Sequence, residues 1–296
     1  MKLAIVIPYY KKQFFAQTLD SLKKQTNQRF NIYIGNDASP EDPKDLIQEY
    51  LSDRQFEYFE YPTNLGSKNL VEQWERVIDE TKGEEWIMIL GDDDYLSDNV
   101  IESFYSHLKE VDSLNINLIK YAQQLVDDNN KFYSYRTSHP KIYSTVKCYI
   151  DRTYGRSRNS ISENIFRYTA YKKYKFKKYP LAWPSDDMAW LQFTDFGNFY
   201  FIEEATFYIH SGNYNISGKN DKQDIKGYGA CLFYKDIFLN YEKHFPKKEL
   251  FKFLRFYENT SKKYNLPIEI NLNKYYLKYG GILPWLLSIR RKLLNN

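Results

Sequence analysis

Trp86-Ile87-Met88-Ile89-Leu90-Gly91-Asp92-Asp93-Asp94-Tyr95-Leu96 carries five apolar residues straight into three adjacent carboxylates. The short apolar run predicts a strand buried on both faces. Neighbouring aspartates repel and push each other's pKa up, whereas hard divalent cations favour such clusters of oxygen ligands. In open α/β sheets the ligand crevice lies at the carboxyl ends of the strands, where this triplet falls. Gly91 to Asp94 also reads as a solvated turn feeding a helix near Asp98, so the rest of the chain has to decide between site and turn.

Upstream, Leu3-Ala4-Ile5-Val6-Ile7-Pro8 is a continuous apolar strand ended by proline, as a central parallel strand would be. Phe15, Leu19 and Leu22 form a helical stripe within Phe14 to Gln25. Phe30 to Gly35 reads as a second strand, Asp45 to Leu51 as a helix, Phe56 to Tyr61 as a third strand and Leu70 to Thr81 as a helix. With the strand entering the triplet, four strands alternate with three helices. That pattern predicts a doubly wound, Rossmann-like and mostly parallel sheet flanked by helices, with right-handed crossovers. Pro8-Tyr9-Tyr10-Lys11-Lys12 follows the first strand, so neither a Gly-x-Gly-x-x-Gly nor a P-loop is present to cradle phosphate.

Downstream the periodicity loosens. Asn99 to Glu110 predicts a helix, Ile116 to Val126 a strand, Asp127 to Asn130 a polar turn and Lys131 to Tyr143 a hairpin partner. Arg152 to Arg158 is a basic, glycine-containing loop, and Ile161 to Arg167 reads as a strand. Pro184-Ser185-Asp186-Asp187 is a helix-start signal with acids in the first turn, which caps a helix or builds a site. Phe199 to Ile209 alternates as a strand and ends in His210-Ser211-Gly212. From about Asp224 the chain is helical in pattern, ending in the amphipathic basic segment Leu283 to Leu294.

The 296 residues allow one large domain or two small ones, and 43% hydrophobic with 27% charged content is ordinary for a soluble globular chain. The aromatic share of 18% is high and suits sugar-binding and interfacial surfaces. A net charge of +4 is too small to argue for nucleic acid as partner. Cys148 and Cys231 have neither metal-like spacing nor a disulfide framework. With no signal-peptide pattern and no apolar run near the roughly 18 to 20 residues that span a bilayer, the expected location is cytoplasmic.

Ala4 to Tyr10, Ile34-Gly35-Asn36-Asp37-Ala38-Ser39, Asn64-Leu65-Gly66 and Leu90 to Asp94, in this order and spacing, resemble family 2 glycosyltransferases of GT-A fold. The resemblance is good over the first 100 residues or so and continues more thinly through Asp186-Asp187 and His210. It implies a GT-A domain over 1–218, with a nucleotide-sugar-binding half over 1–97 and an acceptor-side half over 98–218, followed by a helical C-terminal region over 219–296. Pro8 and Tyr10 would border the base pocket, Asp37 would accept from the base, and Lys68 would face the nucleotide. The family often has two acids before its Gly-Ser; Asn36 takes the first place here. The triplet resembles the DxD motif, with Asp92 toward the ribose, Asp94 on the metal and Asp93 between them, in a register open by one residue. Asp186-Asp187 resembles the acidic pair whose second member is the catalytic base, and His210 matches a late histidine that joins the metal or diphosphate in some members; a structural histidine after a strand is the other reading.

The implied activity is inverting transfer from a nucleotide sugar, UDP-linked by family habit, with Mn²⁺ or Mg²⁺ as cofactor. The expected acceptor is a glycan or, if the C-terminal segment binds membrane, a lipid-linked glycan as in assembly of bacterial surface polysaccharide. The basic loop with Arg156 and Arg158 either clamps diphosphate or is a solvated loop. The C-terminal segment either packs on its own domain or lies on the inner face of the plasma membrane as a peripheral contact. Two other classes remain: a catalytically silent nucleotide- or sugar-binding protein of this fold, and a nucleotidyltransferase. The latter's glycine-rich basic loop after the first strand has no counterpart in Pro8 to Gln13.

Overall fold

The computed structural model describes residues 1–51, 56–212 and 222–294, with side chains to 290. The chain divides into two compact units: Met1–Lys178 with Ser185–Lys219, and Tyr179–Pro184 with Asn220–Asn296.

In the first unit β1 (Leu3–Tyr9), α1 (Phe15–Lys23), β2 (Phe30–Asn36), α2 (Lys44–Leu51), β3 (Phe56–Glu60), α3 (Leu70–Ile78) and β4 (Trp86–Ile89) alternate as the periodicity predicts. β1 pairs in parallel with β2 and β4, and β2 with β3. Leu3 to Ile7 and Trp86 to Ile89 are wholly buried, which is why these strands are apolar without alternation. Each such Ile, Leu or Val contributes about 1.5–3 kcal/mol of burial free energy.

After β4 come β5 (Tyr95–Leu96), α4 (Val100–Ser113), β6 (Leu118–Val126), β7 (Ile142–Ser144), α5 (Thr145–Thr153), β8 (Asn164–Arg167), α6 (Tyr168–Tyr174), α7 (Ser185–Phe193) and β9 (Asn198–His210). Among the described residues the sheet has the order β3-β2-β1-β4-β8-β6-β9-β5, with β7 on β9. Its second half is mixed: β8 is antiparallel to β4 and β6, and β9 is parallel to β6 but antiparallel to β5 and β7. The sheet as a whole is therefore less parallel than the first four strands suggest.

The hairpin expected over Lys131 to Tyr143 is reduced to one bridge, Val126 to Phe132, and β7 pairs with β9 instead. Side-chain hydroxyls take over the ladder there. Ser134 Oγ accepts from the Leu125 amide at 2.8 Å, and Thr137 Oγ1 from the Gln123 amide at 2.8 Å. β5 is too short to show a period, yet it brackets the aspartate triplet by pairing Tyr95 and Leu96 with Tyr208 and Phe207.

The second unit contains α8 (Gln223–Asp236), α9 (Lys247–Lys263), α10 (Leu272–Tyr275) and α11 (Ile282–Leu294). Tyr234 of α8 packs its ring 5.2 Å from that of Phe253 on α9. No helix among the described residues is long and apolar enough to cross a membrane. Of the basic C-terminal segment, the side chains of Arg291, Lys292, Leu293 and Leu294 lie outside the described residues.

One glycine sets how closely α3 approaches the sheet. A Cβ on Gly35 would fall 2.2 Å from Val77 Cγ2, a stiff branched side chain on a buried turn of α3. Gly35→Ala is expected to cost about 1–3 kcal/mol by overpacking. Urea unfolding with an unchanged midpoint would contradict this packing.

Candidate active site

The triplet sits where β4 ends, and each of its outer carboxylates is tied to a different element. Asp92 Oδ2 accepts from the amides of Tyr10 and Lys11, both at 2.7 Å, so the loop after β1 is clasped by a carboxylate. Asp94 is buried; its Oδ2 accepts from Ser162 Oγ at 2.5 Å and its Oδ1 from the His210 amide at 3.0 Å. Ser162 Oγ in turn accepts from the Gly91 amide at 3.1 Å. An ideal Cβ on Gly91 would lie 3.0 Å from both Asp93 Oδ1 and Asp94 Oδ2, so glycine leaves room for two carboxylates to lean together.

His210 Nδ1 hydrogen-bonds the Asp93 carbonyl, and the ring stacks on Phe14 with centroids 4.1 Å apart. A carbonyl can only accept, so Nδ1 carries the proton and Nε2 keeps the lone pair that a metal ligand uses. Burial holds His210 below its ordinary pKa, in favour of the neutral ring.

Among the described residues no three His, Cys, Asp or Glu side chains converge into a ready-made metal cage. Mg²⁺ and similar ions seldom need one, because they are held by one or two carboxylates together with substrate phosphates. The Asp93 and Asp94 carboxylates, which lean together at Gly91, fit that partial donor set.

Asp37 at the end of β2 is committed to the neighbouring turn. Its Oδ1 accepts from the Leu65 amide at 2.7 Å and its Oδ2 from the Gly66 amide at 2.8 Å. Arg76 of α3 adds an ion pair at 2.6 Å, with its guanidinium 3.7 Å over the Tyr61 ring. The cation beside Asp37 is therefore Arg76, while Lys68 is exposed and its amide closes a turn on the Leu65 carbonyl. Asn36 is buried; it donates to Tyr58 Oη at 2.8 Å and accepts from the Ser39 amide. Pro8 is half-buried and Tyr10 is 39% exposed at the mouth of β1.

The acidic pair lies in the first turn of α7, a helix whose residues from Asp187 to Phe193 are buried. Asp187 is 5% exposed and forms an ion pair with Arg152 from the last turn of α5. Asn159 Nδ2 donates to Asp186 Oδ2 at 2.9 Å and to Asp187 Oδ1 at 3.2 Å. Burial raises Asp186 above the usual carboxylate range and Glu163 adds to the rise, against Arg152 and Lys120. An open pocket adjoins Asp187, lined by Arg152 and Asp187 with Leu118, Tyr149, Trp190 and Phe199.

The segment 159–163 thus touches both carboxylate clusters, Asn159 at the acidic pair and Ser162 at the triplet. The sequence predicts Ile161 to Glu163 as the start of a strand, but the strand begins only at Asn164. Of the basic loop, Arg156 pairs with Asp151 at 2.5 Å and Arg158 lies 4.1 Å over the Tyr135 ring; Arg152 is the member that reaches the acidic pair. Only the helix α5, which the sequence did not announce, tells Arg152 from the other two. Arg76 did leave a signal: with Gln73, it places a long polar side chain on the same stretch of α3 as buried Val71, Trp74, Val77 and Ile78.

A mixed sheet flanked by helices, with carboxylates at the end of β4 and at the start of α7, is the arrangement of the GT-A fold. The family model described as Glycosyl transferase family 2 matches residues 4–180, and the chain belongs to that family. It is similar to an "Uncharacterized glycosyltransferase" of Rickettsia bellii (strain RML369-C), at 27% identity over 135 residues. That match takes in 44% of this chain and spans only 18% of the relative's length. Among solved structures it is similar to S. aureus TarS 1-349, with TM-score 0.61 and 13% identity over 97% of this chain and 81% of that one. TarS 1-349 in complex with UDP-GlcNAc gives TM-score 0.65 and 14% identity over 94% and 82% of the two chains.

The triplet has a consequence for pH. Burial, then the charge of Asp93, lifts the Asp92 carboxyl from 3.8 to about 7. A carboxyl whose folded value exceeds its unfolded one lends stability that is complete below the unfolded value and lost as pH rises through the folded value. Asp92→Asn keeps an acceptor oxygen for both amides but removes the charge. Relative to wild type in metal-free buffer, it is expected to gain thermal stability at about pH 8 and little at about pH 4. A Tm difference that does not widen between these pH values would sink the burial argument.

Proposed function

We propose that this protein is an inverting glycosyltransferase that moves a sugar from a nucleotide-sugar donor, a UDP-sugar in the first instance, to a glycan or lipid-linked glycan acceptor in surface polysaccharide synthesis. The observation that carries the reading is that one segment, 159–163, holds the β4 carboxylate cluster and the α7 acidic pair together, giving a donor-side and an acceptor-side acid in one site. The likeness to a TarS structure containing UDP-GlcNAc supports the choice of carrier.

In this reading the acceptor hydroxyl attacks the anomeric carbon while the bond from that carbon to the diphosphate oxygen breaks. Asp187 takes the hydroxyl proton as general base. The Arg152 guanidinium beside Asp187 favours the carboxylate, which is the form a base needs. One base with direct displacement through an oxocarbenium-like transition state inverts the anomeric centre. Arg152, beside Asp187, offers the planar donor set that suits a departing diphosphate. Asp94, with Asp92, Asp93 or His210, would hold Mn²⁺ or Mg²⁺, and the bound ion would offset charge on the leaving diphosphate as a Lewis acid. Tyr10, Pro8 and Asp37 frame the end of the sheet where the nucleoside would lie.

Calorimetric titration with UDP, GDP and dTDP, with and without Mn²⁺, tests the donor site. UDP is expected to bind with Mn²⁺ and to bind at least about tenfold more weakly to Asp94→Ala, the loss of one charged ligand being worth 1.4 kcal/mol or more. Asp187→Asn is expected to keep UDP affinity and to lose roughly 10²- to 10⁴-fold in turnover of UDP-GlcNAc. No nucleotide binding under any condition overturns the donor assignment, and binding without turnover by wild type favours the catalytically silent alternative.

For the membrane, Ile282, Leu283, Leu286 and Leu287 are 44–69% exposed along one face of α11, and Arg290 follows them. An apolar face with a basic flank suits the surface of an anionic bilayer. Co-sedimentation with phosphatidylglycerol vesicles is expected for wild type and not for Leu283→Glu/Leu287→Glu; failure of wild type to sediment removes the membrane from the proposal.

A further inference from the structure

We propose that Asn159 is a positioning residue for the general base, oriented by the buried Lys120–Glu163 ion pair; this rests on the reading of Asp187 as base. Lys120 of β6 is 3% exposed and Glu163 fully buried, with Nζ and Oε1 2.6 Å apart. A buried ion pair is weak evidence for stability, since the desolvation of both charges offsets their attraction. This one is tied into further hydrogen bonds. Glu163 also accepts from Gln123 Nε2 at 2.8 Å and from the Ser160 amide at 2.9 Å, and Lys120 Nζ donates to Asn159 Oδ1 at 2.9 Å.

The last bond fixes a direction. An ammonium has only donors, so the Asn159 amide must turn its oxygen to Lys120. Asn164 Nδ2 lies 3.4 Å from the same oxygen and reinforces the choice. The amide nitrogen then faces the carboxylates, which only accept when ionised, and its two protons go one to Asp186 and one to Asp187. A flipped amide would oppose donor to donor at Lys120 and acceptor to acceptor at both aspartates. The network therefore runs from a charge pair in the sheet to the Asp187 Oδ1 edge, while Arg152 takes Oδ2. With both edges held, the rotation of the Asp187 carboxylate is set by Asn159 and Arg152 together.

The alternative is that Asn159 is simply a satisfied half-buried amide in a loop. The two differ in what happens when the ion pair is made neutral. Lys120→Met/Glu163→Gln removes the donor that directs the amide and leaves Asn159, Asp186 and Asp187 in place. Turnover of UDP-GlcNAc is expected to fall by about ten- to a hundredfold in kcat, as for a misplaced catalytic group. Donor KM and UDP affinity should stay within about twofold of wild type. Asn159→Ala is expected to show the same split, and adding it to the double variant should cost no further activity, because residues acting as one unit are not additive. Unchanged kcat in Asn159→Ala, or full additivity, overturns the assignment.

A second readout needs no turnover. With Asn labelled at ¹⁵Nδ2, the Asn159 amide protons, assigned by their loss in Asn159→Ala, should exchange slowly with solvent in wild type and at least about tenfold faster in Lys120→Met/Glu163→Gln. Equal protection in both proteins overturns the relay even where wild type turns over no UDP-sugar. In that event the function proposed above fails on its own measurement, and the amide exchange still decides the role of Asn159. If the double variant does not fold, the kcat and KM of Asn159→Ala decide it.

Discussion

The hydrogen bond from Ser162 to Asp94 and the pair of bonds from Asn159 to Asp186 and Asp187 are the constraint on which the site depends. Three residues apart on one loop, they fasten an aspartate at the end of a parallel strand to an acidic pair at the start of a helix some ninety residues later. The loop can do this because Glu163 anchors its end in the sheet through Lys120, Gln123 and the Ser160 amide. Removing one partner of such a buried pair leaves an uncompensated charge, typically at a cost of about 3–5 kcal/mol. The loop's geometry is thus held by the same groups that make the sheet polar at this point.

That polarity explains why the second half of the chain resisted reading. β1 and β4 have both faces covered and announce themselves as unbroken apolar runs. β6 instead carries Lys120, Gln123 and Gln124 within nine residues, and its edge partner is a stretch whose Ser134 and Thr137 hydroxyls replace ladder bonds. No period of two survives such substitutions. β5 has only two residues, and α5 and α6 lie between polar segments that read as loop. The first unit's parallel core was legible because burial dictates its composition; the mixed part was not, because side-chain hydrogen bonds dictate its path.

The site divides in the same way. Asp92, Asp93, Asp94, Asp186 and Asp187 were visible in the sequence, since clustered acids are costly and need a reason. Their partners were not. Arg152, Arg76, Asn159 and Ser162 are ordinary residue types in ordinary surroundings, distinguished only by what the fold brings within about 3 Å. Asp37 shows the same division. The resemblance implied an acid that accepts from the base; two amides and Arg76 are also bonded to it, so any ligand there meets a carboxylate already organised by the Asn64-Leu65-Gly66 turn.

The loop after β1 shows how one fold can do without a glycine cradle. In a P-loop or dinucleotide site, backbone amides at this position point at phosphate. Here the amides of Tyr10 and Lys11 point at Asp92, so a carboxylate of the protein occupies the place that a phosphate takes elsewhere. Amides already bonded to Asp92 are poor donors for a second anion, and burial, then the charge of Asp93, already lifts the Asp92 carboxyl, so added negative charge is disfavoured in this corner. In the function proposed above, a diphosphate would approach such a surface with cationic help, from the guanidinium of Arg152 or from a divalent ion on the leaning carboxylates. On that reading the acidic triplet and the absence of a glycine cradle belong together: a site built here would be completed by positive charge rather than by backbone amides.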